Sequence, residues 1–251
     1  MAASNSLSGS PVEISSPNVP WFLSLQKSFN RRYAYNNDDP VYVQMANIKR
    51  NGQASMHSLS FQDFLDDDCR FIEFLLAMND NILMGDIKAN PEAKLCWTIR
   101  NEQYYFTGKF YIASAPIQVT RFPPPKMPVS DMPAAEYWEE ERLKQWRRLN
   151  PQIRAKFTWP TPGDLPKADR IAYTCLSLDD MTSQNRSANA SKAGAGNSVK
   201  LIHDIALDNF CLLIFKVIDV MHLNLSTFPP RRLVYQYSAK DHTWQVQEAN
   251  P

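Results

Sequence analysis

The sequence predicts a mainly β fold with helical additions, built as a β-barrel of roughly eight strands. Three observations lead there. Short runs of alternating or β-branched residues, set off by turn signals, recur along most of the chain. Only four short stretches carry a helical period. The connections between runs are rich in proline, 18 residues against 7 glycines.

The elements follow in order. Residues 1–17 are small and polar, rich in Ser, Asn and Pro, and read as a disordered tail. Pro20 suits the first turn of a helix that runs towards Asn30. Alternating residues at 41–48 and 55–61 flank Arg50-Asn51-Gly52, and Asn-Gly between two such runs is a hairpin signal. A third strand covers 71–77, a helical pattern covers 82–89, and Asn90-Pro91 stops it. A second hairpin joins 94–99 to 104–113. Residues 116–133 form a connector, because Pro123-Pro124-Pro125 excludes a regular helix or central strand. The clearest helix spans 134–149, with Tyr137, Leu143, Trp146 and Leu149 at helical spacing, and a short one follows at 152–157. Residues 183–200 are rich in Ser, Asn, Ala and Gly and read as a flexible surface insertion. Apolar runs at 210–220, 222–225, 233–237 and 244–246 are short strands again. Residues 18–251 are therefore expected to form a single domain.

Composition excludes several function classes. Hydrophobic residues make up 44% of the 251 and the formal net charge is +1. The apolar content is enough to close a core, so the chain is not disordered throughout. No bulk positive charge is present to meet a phosphate backbone, so nucleic acid is not an expected partner. No Walker loop or dinucleotide fingerprint occurs. The longest apolar stretch, 210–220, contains Lys216 and Asp219 and is too short to span a bilayer, so no membrane partner is expected. Residues 1–17 lack a basic n-region and an apolar h-region. Cys69, Cys96, Cys175 and Cys211 are widely spaced and read as reduced thiols. The expected compartment is the cytoplasm, with the nucleus left open. The four histidines are scattered, and no metal site is expected.

A set of short motifs recurs in a definite order. It begins with Pro20-Trp21 and the Gly52 hairpin, and continues through Asn90-Pro91-Glu92-Ala93-Lys94-Leu95-Cys96-Trp97, Glu102-Gln103 and Thr107-Gly108. Trp146, Phe157-Thr158-Trp159-Pro160-Thr161-Pro162-Gly163, Pro230-Arg231-Arg232-Leu233-Val234-Tyr235 and the ending from Trp244 to Asn250-Pro251 complete it. This ordered set resembles the pyridoxamine 5'-phosphate oxidase-like, FMN-binding split-barrel family, in its branch with a short C-terminal ending. The resemblance implies a six-stranded split β-barrel of the FMN-binding type that forms a homodimer, with flavin sites at the subunit interface and oxidoreductase chemistry carried by the flavin.

In such relatives FMN is held mainly by its phosphate. An Arg follows the hairpin glycine, a second basic residue comes a few positions on, and an Arg or Ser and a Lys come from the turn into the next helix. A dianion needs several charge-assisted donors converging on it. By spacing, the first two positions are His57 and Gln62 here, Asp80 stands where the Arg is expected, and Leu83 replaces the Lys. No Arg or Lys lies between Glu73 and Ile87. Losing three such partners weakens binding by roughly 4–9 kcal/mol if the contributions add. Gln103 matches the relatives' glutamine near the flavin, and Arg232 matches a late arginine near cofactor or substrate. The resemblance thus implies an FMN-binding flavoprotein with a degenerate clamp, its cofactor weakened or lost. The alternatives are a non-catalytic split-barrel dimer acting as a binding or scaffold module, and a site rebuilt for a less phosphorylated small molecule. Trp97 and Trp159 read as core or interface aromatics, and no catalytic acid, base or nucleophile is identified.

Overall fold

Period-two alternation produces the barrel wall. In β1 (Tyr42–Ile48), Val43, Met45 and Asn47 point inward and are buried while their neighbours are exposed, and β4 (Glu92–Ile99) repeats the pattern. The computed structural model describes residues 19–33, 40–116, 122–128, 130–165, 177–178 and 193–251, with backbone alone at 193–200. The expected tail at 1–17 lies outside them.

The other strands are β2 (Ala54–Phe64), β3 (Phe71–Ala77), β5 (Glu102–Ala113), β6 (Phe210–Asn224), β7 (Arg231–Ser238) and β8 (Thr243–Ala249). All neighbours are antiparallel, in the order β3-β2-β1-β4-β5-β6-β7-β8, and β6 also pairs with β3. That extra pairing closes β1 to β6 into a six-stranded barrel, which leaves β7 and β8 as an extension of its wall. The hairpin at Asn51-Gly52 forms as the sequence predicts, with Gly52 at φ +82°.

The runs expected as separate strands at 210–220 and 222–225 are one 15-residue strand, because Met221 between them carries no turn signal. Its first half is buried on both faces. Cys211, Leu213 and Phe215 join the barrel interior, while Phe210, Leu212 and Ile214 lie in the helix-covered core. That double burial explains the unbroken apolar run. At Thr107/Gly108 the β5–β6 register slips, and a Cβ on Gly108 would lie 2.2 Å from the Lys216 carbonyl oxygen. Only glycine fits at this bulge.

The helices are α1 (Phe22–Tyr33), α2 (Asn81–Ala89), α3 (Ala134–Arg148), α4 (Pro151–Ala155) and α5 (Ala193–Asn209). Trp21, just before α1, and Phe22 and Leu25 of the helix pack into the barrel core, where Met45, Phe74, Trp97 and Phe106 meet. A second core, with Trp138, Trp146 and Phe157, holds α3 and α4 against β6. Trp97 is therefore a core aromatic. Residues 193–200, assigned by composition to the surface insertion, are helical backbone continuous with 201–209; 183–192 lie outside the described residues. Pure composition missed this helix, since its Ala-, Gly- and Ser-rich start carries no apolar period.

Candidate functional site

The Gly52 hairpin fixes the β1–β2 register and places Ser55 and His57 on the inward side near one barrel end. α2 packs beneath them and supplies Asp86. His57 Nε2 lies 2.8 Å from Asp86 Oδ2 and 3.1 Å from Ser55 Oγ, and the Ser55 hydroxyl also donates to Asp86 Oδ2. Lys49 Nζ is 4.0 Å from the same oxygen. Burial would raise the Asp86 carboxyl, but the hydrogen bonds from Ser55 and His57, with the charge of Lys49, hold it below the ordinary carboxylate value. Asn47 ties this knot to the helix by donating to the Asp86 and Asn90 carbonyls, 3.2 Å each.

Gln62 lies five residues further along β2, about 17 Å at strand rise. Its Nε2 donates to Gln145 Oε1 of α3 at 3.2 Å. Gln145 in turn donates to Glu73 Oε2 at 2.8 Å and to Glu141 Oε1 at 2.7 Å. Glu73 is fully buried, and burial together with the charges of Glu141 and Asp63 pushes its carboxyl well above the ordinary range. Asp80 caps α2 by accepting from the Leu83 amide at 3.0 Å, and Leu83 itself is in the barrel core. The segment at 157–163 closes over this turn. Asn79 Nδ2 donates to the Trp159 carbonyl at 3.0 Å, and a Cβ on Gly163 would strike Ile82 Cδ1. His57, Gln62, Asp80 and Leu83 are thus dispersed among three different internal environments.

Gln103 and Arg232 are brought to one surface. The outward residues of the sheet form rows across the strands. One row reads Gln103, Leu223, Arg232, Ala249, and the next Ser58, Gln44, Cys96, Tyr105, Met221, Val234, Gln247. Two strand spacings separate Gln103 from Arg232, about 10 Å. Gln103 Oε1 accepts from the Tyr105 hydroxyl at 2.9 Å. Arg232 Nε is buried without a hydrogen-bond partner among the described residues, which is an unspent donor on this face. Below the second row, a cleft of about 540 Å³ is bounded by Asn47, Lys94, Thr107 and Asp219.

Sequence reasoning missed two polar clusters. One is the Glu73–Gln145–Glu141 network, whose signal is a carboxylate inside the apolar run 71–77. The other joins Glu102 to Ser28 (2.7 Å), Tyr104 (2.7 Å) and His222 (2.8 Å), with the Tyr104 and His222 rings stacked at 4.3 Å. Burial holds His222 below its usual value, against the raising influence of Glu102. This cluster fastens α1 to β5 and β6. Nothing local in the sequence marks it, because its members come from three distant segments.

No family model and no curated protein matches the chain in sequence. Solved structures do match in shape. A pyridoxamine 5'-phosphate oxidase-related, FMN-binding protein from Nostoc punctiforme superposes with a TM-score of 0.65 at 21% identity, covering 92% of this chain and 98% of that one. PhzG from Burkholderia lata, solved with tetrahydrophenazine-1-carboxylic acid, gives 0.57 at 12% identity over 94% and 95%. The closed antiparallel barrel with its extending hairpin is therefore the split-barrel fold of the FMN-binding, pyridoxamine 5'-phosphate oxidase-related proteins.

Proposed function

We propose that this chain is a split-barrel homodimer of the FMN-binding type whose phosphate clamp has been replaced by internal hydrogen bonds. It binds flavin weakly, through its outer sheet face, and acts as a binding module without flavin-dependent turnover. The observation that carries the reading is the fate of the clamp positions. His57 is committed to Asp86, Gln62 to Gln145 and Asp80 to the start of α2, while Leu83 is buried. These residues do not fit a dianionic phosphate. Asp80 is a carboxylate, His57 is held by another, Asp86, and Lys49 already faces Asp86. Repulsion from Asp80 and Asp86 disfavours the phosphate further.

Support for the face and the dimer is of a different kind. Gln103 and the unpartnered Nε of Arg232 share one surface, as the resemblance implies for groups near a flavin. The adjoining row of seven residues carries no charge, which is unusual for a solvated sheet face and ordinary for the centre of an interface. Among the described residues no helix is long and apolar enough to cross a membrane. A cytoplasmic location belongs to the proposal on the separate ground of the widely spaced cysteines.

A flavin titration followed by fluorescence, with oligomeric mass measured on the same sample, tests this proposal. The expected result is a colourless dimer that takes up FMN only at micromolar or higher concentration. A yellow preparation with stoichiometric FMN, or a monomer, would overturn it.

A further inference from the structure

β6 changes partner half-way along. Pairing with β3 ends at Phe71↔Lys216, and pairing with β7 starts at Asp219↔Gln236. The β7–β8 hairpin therefore diverges from the barrel wall. A cleft of about 560 Å³ opens between that hairpin, Arg70 and the residues just before α1. The volume lies in the range of small-molecule sites. It is separate from the flavin-type face, because β8 turns Trp244 and Val246 into this cleft and pairs Gln247 into the outer row.

The cleft has a held cation and aromatic walls. Arg70 Nε and Nη2 donate to Asp68 at 2.9 and 2.6 Å, and the Val217 amide donates to the Arg70 carbonyl at 2.8 Å. The guanidinium carbon lies 4.5 Å from the Tyr237 ring centroid. The side chain is thus fixed by Asp68 on one edge and by Tyr237, which lies against its face and also bonds to it. Tyr237 and Trp244 pack at 5.3 Å. His242 has φ +54°, a left-handed conformation that is strained for a residue other than glycine, and its Nδ1 is 3.1 Å from the Tyr237 hydroxyl. Lys216 makes no ion pair among the described residues, and burial together with the charge of Arg70 lowers its ammonium from the ordinary lysine value. One carboxylate, Asp68, faces two cations here.

We propose that this cleft binds a flat aryl carboxylate, its anion on the Arg70 guanidinium and its ring against Tyr237 and Trp244. A planar guanidinium carries five N–H donors, of which Asp68 takes two, and its fork matches a carboxylate; the rings supply stacking area that a small inorganic anion would not use.

Calorimetric titration with 2-naphthoate and with neutral 2-naphthol tests the proposal. Naphthoate should bind saturably at one site per chain, and naphthol about tenfold or more weaker. Arg70→Gln should weaken naphthoate by about tenfold or more. That variant also strips buried Asp68 of its partner, so a second one guards against misfolding. Val246→Glu places a carboxylate on the rim at a position 53% exposed. It should weaken naphthoate about tenfold while leaving naphthol and the melting temperature unchanged. Failure of naphthoate to saturate, equal binding of the two probes, or indifference to Val246→Glu in a folded protein would each overturn the proposal.

Discussion

Glu73 shows how a single buried group makes stability depend on pH. The carboxyl has no exposure, its Oε2 accepts from Gln145, and its Oε1 has no partner among the described residues. Glu141 and Asp63 reinforce the effect of burial, and only Lys144 opposes it. The folded chain therefore keeps a proton that the unfolded chain releases above the ordinary carboxylate value of 4.5. Folding takes up that proton, so the stabilising contribution is complete at low pH and declines as pH rises past this value. Glu73→Gln removes the titration while preserving shape and the acceptor for Gln145. The melting temperature of the variant relative to the parent should be more favourable at pH 8 than at pH 5. Equal differences at the two pH values would mean that Glu73 is ionised in the folded state.

The same residue marks where local reading stops. A carboxylate in an apolar strand is visible in the sequence, but its partners on α3 are 68 to 72 positions away and follow no spacing rule. Gln103 and Arg232 were singled out through the resemblance alone, and strand register then sets them on one face. His57 and Gln62 were legible as positions and not as contacts, since Asp86 and Gln145 arrive from other elements.

At the scale of elements, the bulge on β5 decides how the wall curves. Gly108 faces the Lys216 carbonyl so closely that a methyl group would force the two strands apart. Gly108→Ala should cost about 1–3 kcal/mol, read as a lower urea midpoint. Gly85 is the internal control, because a Cβ there would meet nothing within 4 Å and the residue is exposed on α2. Gly85→Ala should stabilise by about 0.5–1 kcal/mol through helix propensity. If both substitutions behave alike, the close approach at the bulge is wrong. The Thr107-Gly108 pair was visible as a motif, and its reason, the approach of another strand's backbone, emerged only in the fold. Most strands were legible for a simpler cause: alternation and the Asn-Gly turn are local. The join of 210–220 to 222–225 and the helix over 193–209 were not, the first because burial on both faces erases alternation, the second because its opening residues are small and polar.

For the whole molecule, closure of β3 on β6 makes the barrel, and the splitting away of β7 and β8 creates the two surfaces that matter. One carries Gln103 and Arg232 beside an uncharged row; the other carries Arg70 and its aromatic neighbours. In the proposed reading, what distinguishes this chain within such a frame is that internal hydrogen bonds engage His57 and Gln62 on β2 and Asp80 before α2, in place of a phosphate grip. The most direct measurement is the ratio of riboflavin and FMN dissociation constants on one preparation, since the two ligands differ only in the phosphate. With no cations converging on that group, the two constants should agree within about threefold. FMN binding about a hundredfold or more tighter than riboflavin would show a working phosphate grip and contradict the central claim.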